Sequence, residues 1–117
     1  MSRNGVVTLR AVTDGRSALR LSRRYDAAPS EVWAALADLD RWLAPPDGVT
    51  VRRAEPERRL ELDWRPDGEP PSEVVVELRA DGTQTIVVIE HTQIEATRGM
   101  RYIAAWGRAF ERFEPAR

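Results

Sequence analysis

The single histidine is the residue of this 117-residue chain best suited to acid–base chemistry. His91 lies in the stretch TIVVIEHT, whose alternation predicts a β-strand with Val87, Ile89 and His91 on one side. An imidazole on an apolar strand face could bind a ligand or act as a general base near neutral pH. It could equally be a structural histidine at a strand end, satisfied by a backbone carbonyl or a loop hydroxyl. Both interpretations stay open at this point.

Two carboxylates flank the histidine, and paired carboxylates can perform acid–base catalysis. Glu90 and Glu95 bracket the residues HTQI. Strand alternation points Glu90 away from His91, however, which argues against a shared site. The sequence supports no Ser–His–Asp arrangement either. We therefore predict no catalytic residue and expect a protein that is not an enzyme.

Several kinds of site are excluded by composition. The chain has no cysteine, and all 18 of its basic residues are arginine. Disulfides, thiol nucleophiles and lysine Schiff bases are therefore impossible. One histidine cannot build a multi-histidine zinc site, and no acidic cluster has the spacing of a calcium loop. We predict neither a metal nor a cofactor.

Four tryptophans supply the largest apolar surfaces, each able to bury on the order of 200 Å². Trp33 and Trp106 lie within helical patterns, where packing in the core is the plainer interpretation. Trp42 and Trp64 lie beside loops rich in proline and glycine, which favours the rim of a pocket. A pocket lined by aromatic rings with a few polar groups is typical of small-ligand sites.

The elements that must position these residues follow the order β-β-α-β-β-β-β-α, which is an α+β pattern. We predict one domain over residues 1–117, beginning with a β-hairpin at about 6–25. A helix at about 29–43 and an antiparallel meander at about 49–92 follow. A long helix at about 99–114 ends the chain and packs on the sheet. The residues expected to be buried are Leu19, Leu21, Val32, Leu36, Leu60, Leu62, Val74, Val76, Leu78, Val87, Ile89, Ile103, Trp106 and Phe110.

Charge and hydropathy limit the partners. The net charge is −1, and the arginine pairs are interspersed with acidic residues, so we predict no nucleic-acid binding. No apolar run approaches the ~18 residues of a membrane span, and the first ten residues lack the apolar core of a signal peptide. We therefore expect no membrane insertion and a cytoplasmic protein.

Several motifs together resemble the START-like (SRPBCC) superfamily, in the branch of homologues of the activator of the heat-shock protein 90 ATPase. They are APSEVW at the entry to the first helix, EPERRLELDW at a turn and strand, and GTQTIVVIEHT at the strand that ends in histidine. The resemblance implies a helix-grip fold, in which an antiparallel sheet curls around the final helix to enclose an apolar cavity. One departure is that WLAPPDG leads almost directly to VTVRRAEPERRL, where such domains usually carry a further hairpin.

Three functions remain open on this basis. The first is binding of a small apolar or amphipathic ligand between the sheet and the C-terminal helix. The residues expected around that ligand are Trp33, Trp42, Trp64, His91, Tyr102 and Trp106. The second is a protein-interaction module, chaperone-related or regulatory, with a filled core; the missing hairpin favours it because a sheet edge is left open. The third and weakest is an enzyme of the cyclase or hydrolase type.

Overall fold

The computed structural model describes five parts of the chain, residues 5–11, 16–39, 48–65, 71–95 and 99–112. These parts contain six strands and two helices in the predicted order. The elements are β1 (Gly5–Ala11), β2 (Arg16–Tyr25), α1 (Pro29–Ala37), β3 (Val49–Glu55), β4 (Arg59–Trp64), β5 (Ser72–Asp81), β6 (Gln84–Glu95) and α2 (Gly99–Arg112). The predicted α+β helix-grip fold is confirmed.

The six strands form one antiparallel sheet in the order β1-β2-β6-β5-β4-β3. Strands β3 to β6 pair with their neighbours in the chain, which is the predicted meander. The N-terminal hairpin adds to the other side of β6, so the last strand lies in the interior of the sheet. Strand β3 is an edge strand: it pairs with β4 on one side and with no described strand on the other.

One face of the sheet, the inner face, packs against both helices. Alternate residues of β2, β4, β5 and β6 point to this face and are buried with α1 and α2 in a single core. The predicted buried set is confirmed for the strands, for α1 and for Trp106. Ile103 is only half-buried, and the side chain of Phe110 lies outside the described residues. The strand register was predictable because a slip of one residue would expose the entire apolar set.

Helix α1 is shorter than its pattern suggested. Pro29 occupies the first turn, as expected, and Glu31 favours the positive end of the helix dipole. The helix is interrupted after Ala37, because Asp38 leaves the helical region with φ −89° and ψ 85°, and Leu39 is helical again. Aspartate is a weak helix former whose side chain competes for nearby backbone groups. Residues 40–47 lie outside the described part of the chain.

The opposite, outer face is covered with ion pairs between neighbouring strands. Arg52 lies within 3.3 Å of Glu61, Asp63 and Glu73, and Arg59 contacts Glu61. The hydrogen bond from Arg59 holds the pKa of Glu61 below its usual value. Arg52 and Arg59 are therefore part of a charge-balanced surface. The ion pairs of Arg52 are exposed, so each contributes little to stability.

The turn between β3 and β4 contains a residue in a backbone conformation that favours glycine. Glu57 has φ 65° and its side chain is exposed. We expect Glu57→Gly to raise the free energy of unfolding by about 0.5–1 kcal/mol, because glycine adopts this conformation without a Cβ clash. Urea denaturation followed by circular dichroism measures the change. Glu57→Ala is the control, since it removes the carboxylate but keeps the Cβ; equal effects of both changes would contradict the backbone explanation.

Candidate functional site

Four rings from three elements meet on the inner face and form the aromatic cluster, defined here as Trp64, His91, Tyr102 and Trp106. Trp64 ends β4, His91 lies inside β6, and the other two rings are one turn apart on α2. Ring centroids within the cluster are 4.5 to 6.2 Å apart, mostly in edge-to-face or tilted arrangements. These are the geometries that aromatic pairs prefer. Four of the six predicted site residues are therefore in direct contact.

Two hydrogen bonds determine the tautomer of the histidine. The indole Nε1–H of Trp106 donates to His91 Nδ1 at 3.0 Å. Because an indole nitrogen can only donate, Nδ1 must be the unprotonated nitrogen of a neutral imidazole. The proton is then on Nε2, which donates to Ser72 Oγ at 2.7 Å. Both ring nitrogens are thus satisfied by protein side chains.

Burial keeps the imidazole neutral. The His91 side chain has no exposed surface. Desolvation lowers the pKa of His91 from 6.5 to about 3, because an imidazolium would lose its hydration inside the core. At neutral pH the residue is therefore an uncharged hydrogen-bonding group.

The contact between Ser72 and His91 has the spacing of a nucleophile and its general base, but the arrangement lacks the required chemistry. A base must accept the serine proton, and here Nε2 already carries a proton. A pKa of about 3 also makes the ring a poor base at neutral pH. Glu90, the nearby carboxylate considered above, lies on the outer face within 3.8 Å of Arg20. The geometry therefore favours a structural role for the histidine.

The second half of the cluster faces the edge of the sheet. Trp64 is half-buried and donates its Nε1–H to the hydroxyl oxygen of Tyr102 at 3.2 Å. The hydroxyl proton of Tyr102 finds no acceptor among the described residues. Val51, on edge strand β3, pairs with Leu62 and so points to the inner face as Trp64 does. It is 50% exposed, and no other large hydrophobic residue is exposed among those whose side chains the structure describes. Apolar surface is therefore accessible beside Trp64.

A bulge in β6 adjusts the residues that follow the histidine. His91 pairs with Leu19 of β2, but Ile94 pairs with Ser17, so two residues of β6 oppose one of β2. Gln93, inside the bulge, has φ 62°. The extra residue turns Ile94 inward, where it is buried beside His91, whereas simple alternation would point it outward.

A concavity of about 430 Å³ lies at the end of the sheet near the bulge, and we call it the end pocket. Ser72 belongs to both places, since it lines the end pocket and also accepts the hydrogen bond from His91. It pairs directly with Trp64 across the two strands. The polar side chains lining the end pocket are Arg52, Asp63, Arg65, Ser72, Glu73 and Gln93.

Two predicted site residues remain. Trp33 lies on α1, half-buried against the core, and Trp42 lies outside the described residues. His91 is inside β6 and not at a strand end, because the bulge carries the strand on to Glu95. Ser72 was missed, although it is in phase with the apolar residues of its strand. That alternation could have predicted that Ser72 points to the inner face.

In the parts of the chain that the structure describes, no group of three acidic or histidine residues could hold a metal ion. Neither helix described is both long and apolar enough to cross a membrane.

Comparison with known protein families gives a match over residues 44–116, well over half of the chain, to the activator of Hsp90 ATPase homolog 1-like proteins. The chain belongs to this family. The resemblance inferred from the sequence is thereby confirmed, and the family lies within the START-like superfamily. A comparison of the chain with curated proteins finds no match.

Several solved structures share the fold of this protein. The crystal structure of CalU16 from Micromonospora echinospora is 25% identical, with a TM-score of 0.76 over 97% of this chain and 82% of that one. Its solution structure gives a TM-score of 0.79, over 97% and 74% of the two chains. DynU16, a protein of the dynemicin biosynthetic locus, is 19% identical with a TM-score of 0.71; the match covers 86% of this chain and 46% of DynU16. The last comparison supports the fold alone.

Proposed function

We propose that this protein is a non-catalytic binding domain for a small amphipathic molecule. The observation that carries the proposal is the accessible apolar surface on the inner face at the β3 edge, where half-exposed Val51 is the diagonal cross-strand neighbour of half-buried Trp64. The aromatic cluster behind it supplies a rigid wall, because its polar atoms are joined by internal hydrogen bonds. Ligand sites commonly combine such apolar walls with a few polar groups. That the whole chain forms one START-like domain remains a prediction.

The proposed binding surface is shallow and differs from a ligand cavity enclosed within the core. Trp106 and His91 are almost fully buried and contact each other, so a ligand would touch the cluster through half-buried Trp64 and the small exposed part (7%) of Tyr102 rather than reach its centre. The hydroxyl of Tyr102 has a proton to donate, which suits an acceptor on the ligand. Trp106 and His91 then act as support for these two residues.

Binding of octanol, a neutral amphipathic probe, tests this proposal. We expect saturable NMR shifts at the Trp64 indole and at β3 backbone amides. Val51→Ser should weaken octanol binding about 3–10-fold, since it removes apolar surface from the wall. Thr50→Ser is the matched control, because Thr50 is adjacent but points to the outer face, where it pairs with Asp63. Shifts confined to the arginine-rich outer face, or no saturable shift, would reject the proposal.

The same edge of the sheet supports a protein-interaction module as a second candidate. No described strand pairs with the outer side of β3, and an added strand from a partner could pair there while covering Val51. The densely packed aromatic cluster also agrees with a filled core. If octanol does not bind to the inner face, the protein-interaction module becomes the better supported function.

A further inference from the structure

The end pocket contains hydrogen-bond donors that find no acceptor among the described residues. Ser72 is only 6% exposed, and its oxygen accepts the hydrogen bond from His91 Nε2. The serine hydroxyl still has its own proton, and no described residue accepts it. A buried hydroxyl at the wall of a concavity can donate to a bound molecule at small entropic cost, since it is already held in place.

Arg65 is the second unused donor group. Its backbone N–H donates to the carbonyl of Gly48 at 2.7 Å, which fixes the start of the side chain beside the sheet edge. Its side chain is exposed, lines the end pocket and forms no ion pair with any described residue. A guanidinium presents five N–H donors in a planar arrangement that fits a carboxylate.

Two acidic side chains of the end pocket are paired with a single arginine. Arg52 contacts Asp63 at 3.1 Å and Glu73 at 3.2 Å. The four ionised side chains, these three and Arg65, sum to zero formal charge. Long-range attraction for an ion is therefore weak, and recognition depends on where the unused donors lie. Those donors, from Arg65 and Ser72, suit a hydrogen-bond acceptor.

We propose that the end pocket binds the polar end of the ligand and that this end is a carboxylate, held by Arg65 and Ser72. This inference rests on the proposed function, because the apolar part of the same molecule would lie against Trp64. The two positions are adjacent: Trp64 precedes Arg65 in the chain and pairs with Ser72 across the strands. A single small molecule can therefore span both.

Octanoate and octanol provide a matched pair of probes, with equal chain lengths and different polar ends. We expect Arg65→Gln to reduce the preference for octanoate over octanol by about 3–10-fold, the size of one charge-assisted interaction at a partly exposed site. The affinity for octanol should not change. Arg65→Lys should restore part of the preference, and added salt should weaken octanoate binding selectively. Isothermal titration calorimetry or NMR shifts give both affinities.

Arg53→Gln is the control, because Arg53 is exposed, contacts Glu55 and lies outside the end pocket. It makes the same chemical change and should leave the preference intact. If wild type and Arg65→Gln show equal preferences, the carboxylate assignment is wrong while the binding domain stands. If neither probe binds, both proposals are wrong. Equal losses in the Arg53 and Arg65 variants would show a general charge effect and would also overturn the assignment.

Discussion

Replacing Trp106 with alanine is expected to lower the free energy of unfolding by about 3–5 kcal/mol. The indole is 2% exposed and packs against Trp64 and His91, so its removal leaves a cavity between α2 and the sheet. It also withdraws the donor from His91 Nδ1, which leaves a buried acceptor unsatisfied. Chemical denaturation followed by far-ultraviolet circular dichroism measures the loss without depending on the mutated chromophore.

Two further variants separate the contributions. Trp106→Phe keeps most of the ring volume but removes the N–H, so we expect a smaller loss of about 1–3 kcal/mol. Ile103→Ala tests a half-buried position on the same helix and should cost less than Trp106→Ala. A loss below about 1 kcal/mol for Trp106→Ala would contradict the importance of the cluster in holding α2 on the sheet.

The stability of the protein is expected to fall by about 2–3 kcal/mol between pH 6 and pH 4 because of His91 alone. The folded state holds the pKa of His91 at about 3, against 6.5 for an ordinary histidine. Below pH 6.5 the unfolded chain therefore binds a proton that the folded chain does not. The stabilising contribution is complete above pH 6.5 and is lost as the pH falls towards 3. Urea denaturation at a series of pH values measures the slope.

His91→Gln is the appropriate comparison, since this is the only histidine in the chain. The amide keeps a donor and an acceptor in the core but does not titrate. We expect the variant to be less stable at pH 7 and to show a flatter dependence from pH 6 to pH 4.5. Its remaining acid sensitivity should appear below pH 4.5, where carboxylates with a lowered pKa such as Glu61 become protonated. Equal slopes for both proteins would show that His91 titrates normally.

The sheet and its inner face could be predicted because strand alternation has a simple physical basis. Leu60, Leu62 and Trp64 lie two residues apart, so they point to the same face; the two leucines are buried there and the tryptophan is half-buried. The same reasoning correctly turned His91 inward. It could not identify the groups that would meet the imidazole, because Ser72 and Trp106 are distant in sequence and come together only through packing.

The missed features are those where local regularity breaks. Simple alternation would point Ile94 outward, and only the bulge at Gln93 makes it buried. Helix α1 ends at Ala37 because the backbone of Asp38 is not helical. The apolar residues at helical spacing continue past Asp38, so the sequence pattern did not indicate this end. The end pocket likewise arises where strands stop, so its residues share no periodic pattern. Arg65 was invisible to pattern analysis for that reason, whereas Ser72 is in phase with Val74 and Val76 and could have been found.

The position of β6 in the interior of the sheet has a consequence for the order in which the protein folds. Strands β3 to β6 form hairpins between neighbours, which can close quickly because little chain entropy is lost. Pairing of β2 with β6 joins segments from near opposite ends of the chain, such as Leu19 with His91. Contacts of such long separation are slow to form. Until the N-terminal hairpin pairs with it, one edge of β6, a strand rich in β-branched residues, is therefore open to other chains. Aggregation is most favoured during that interval of folding.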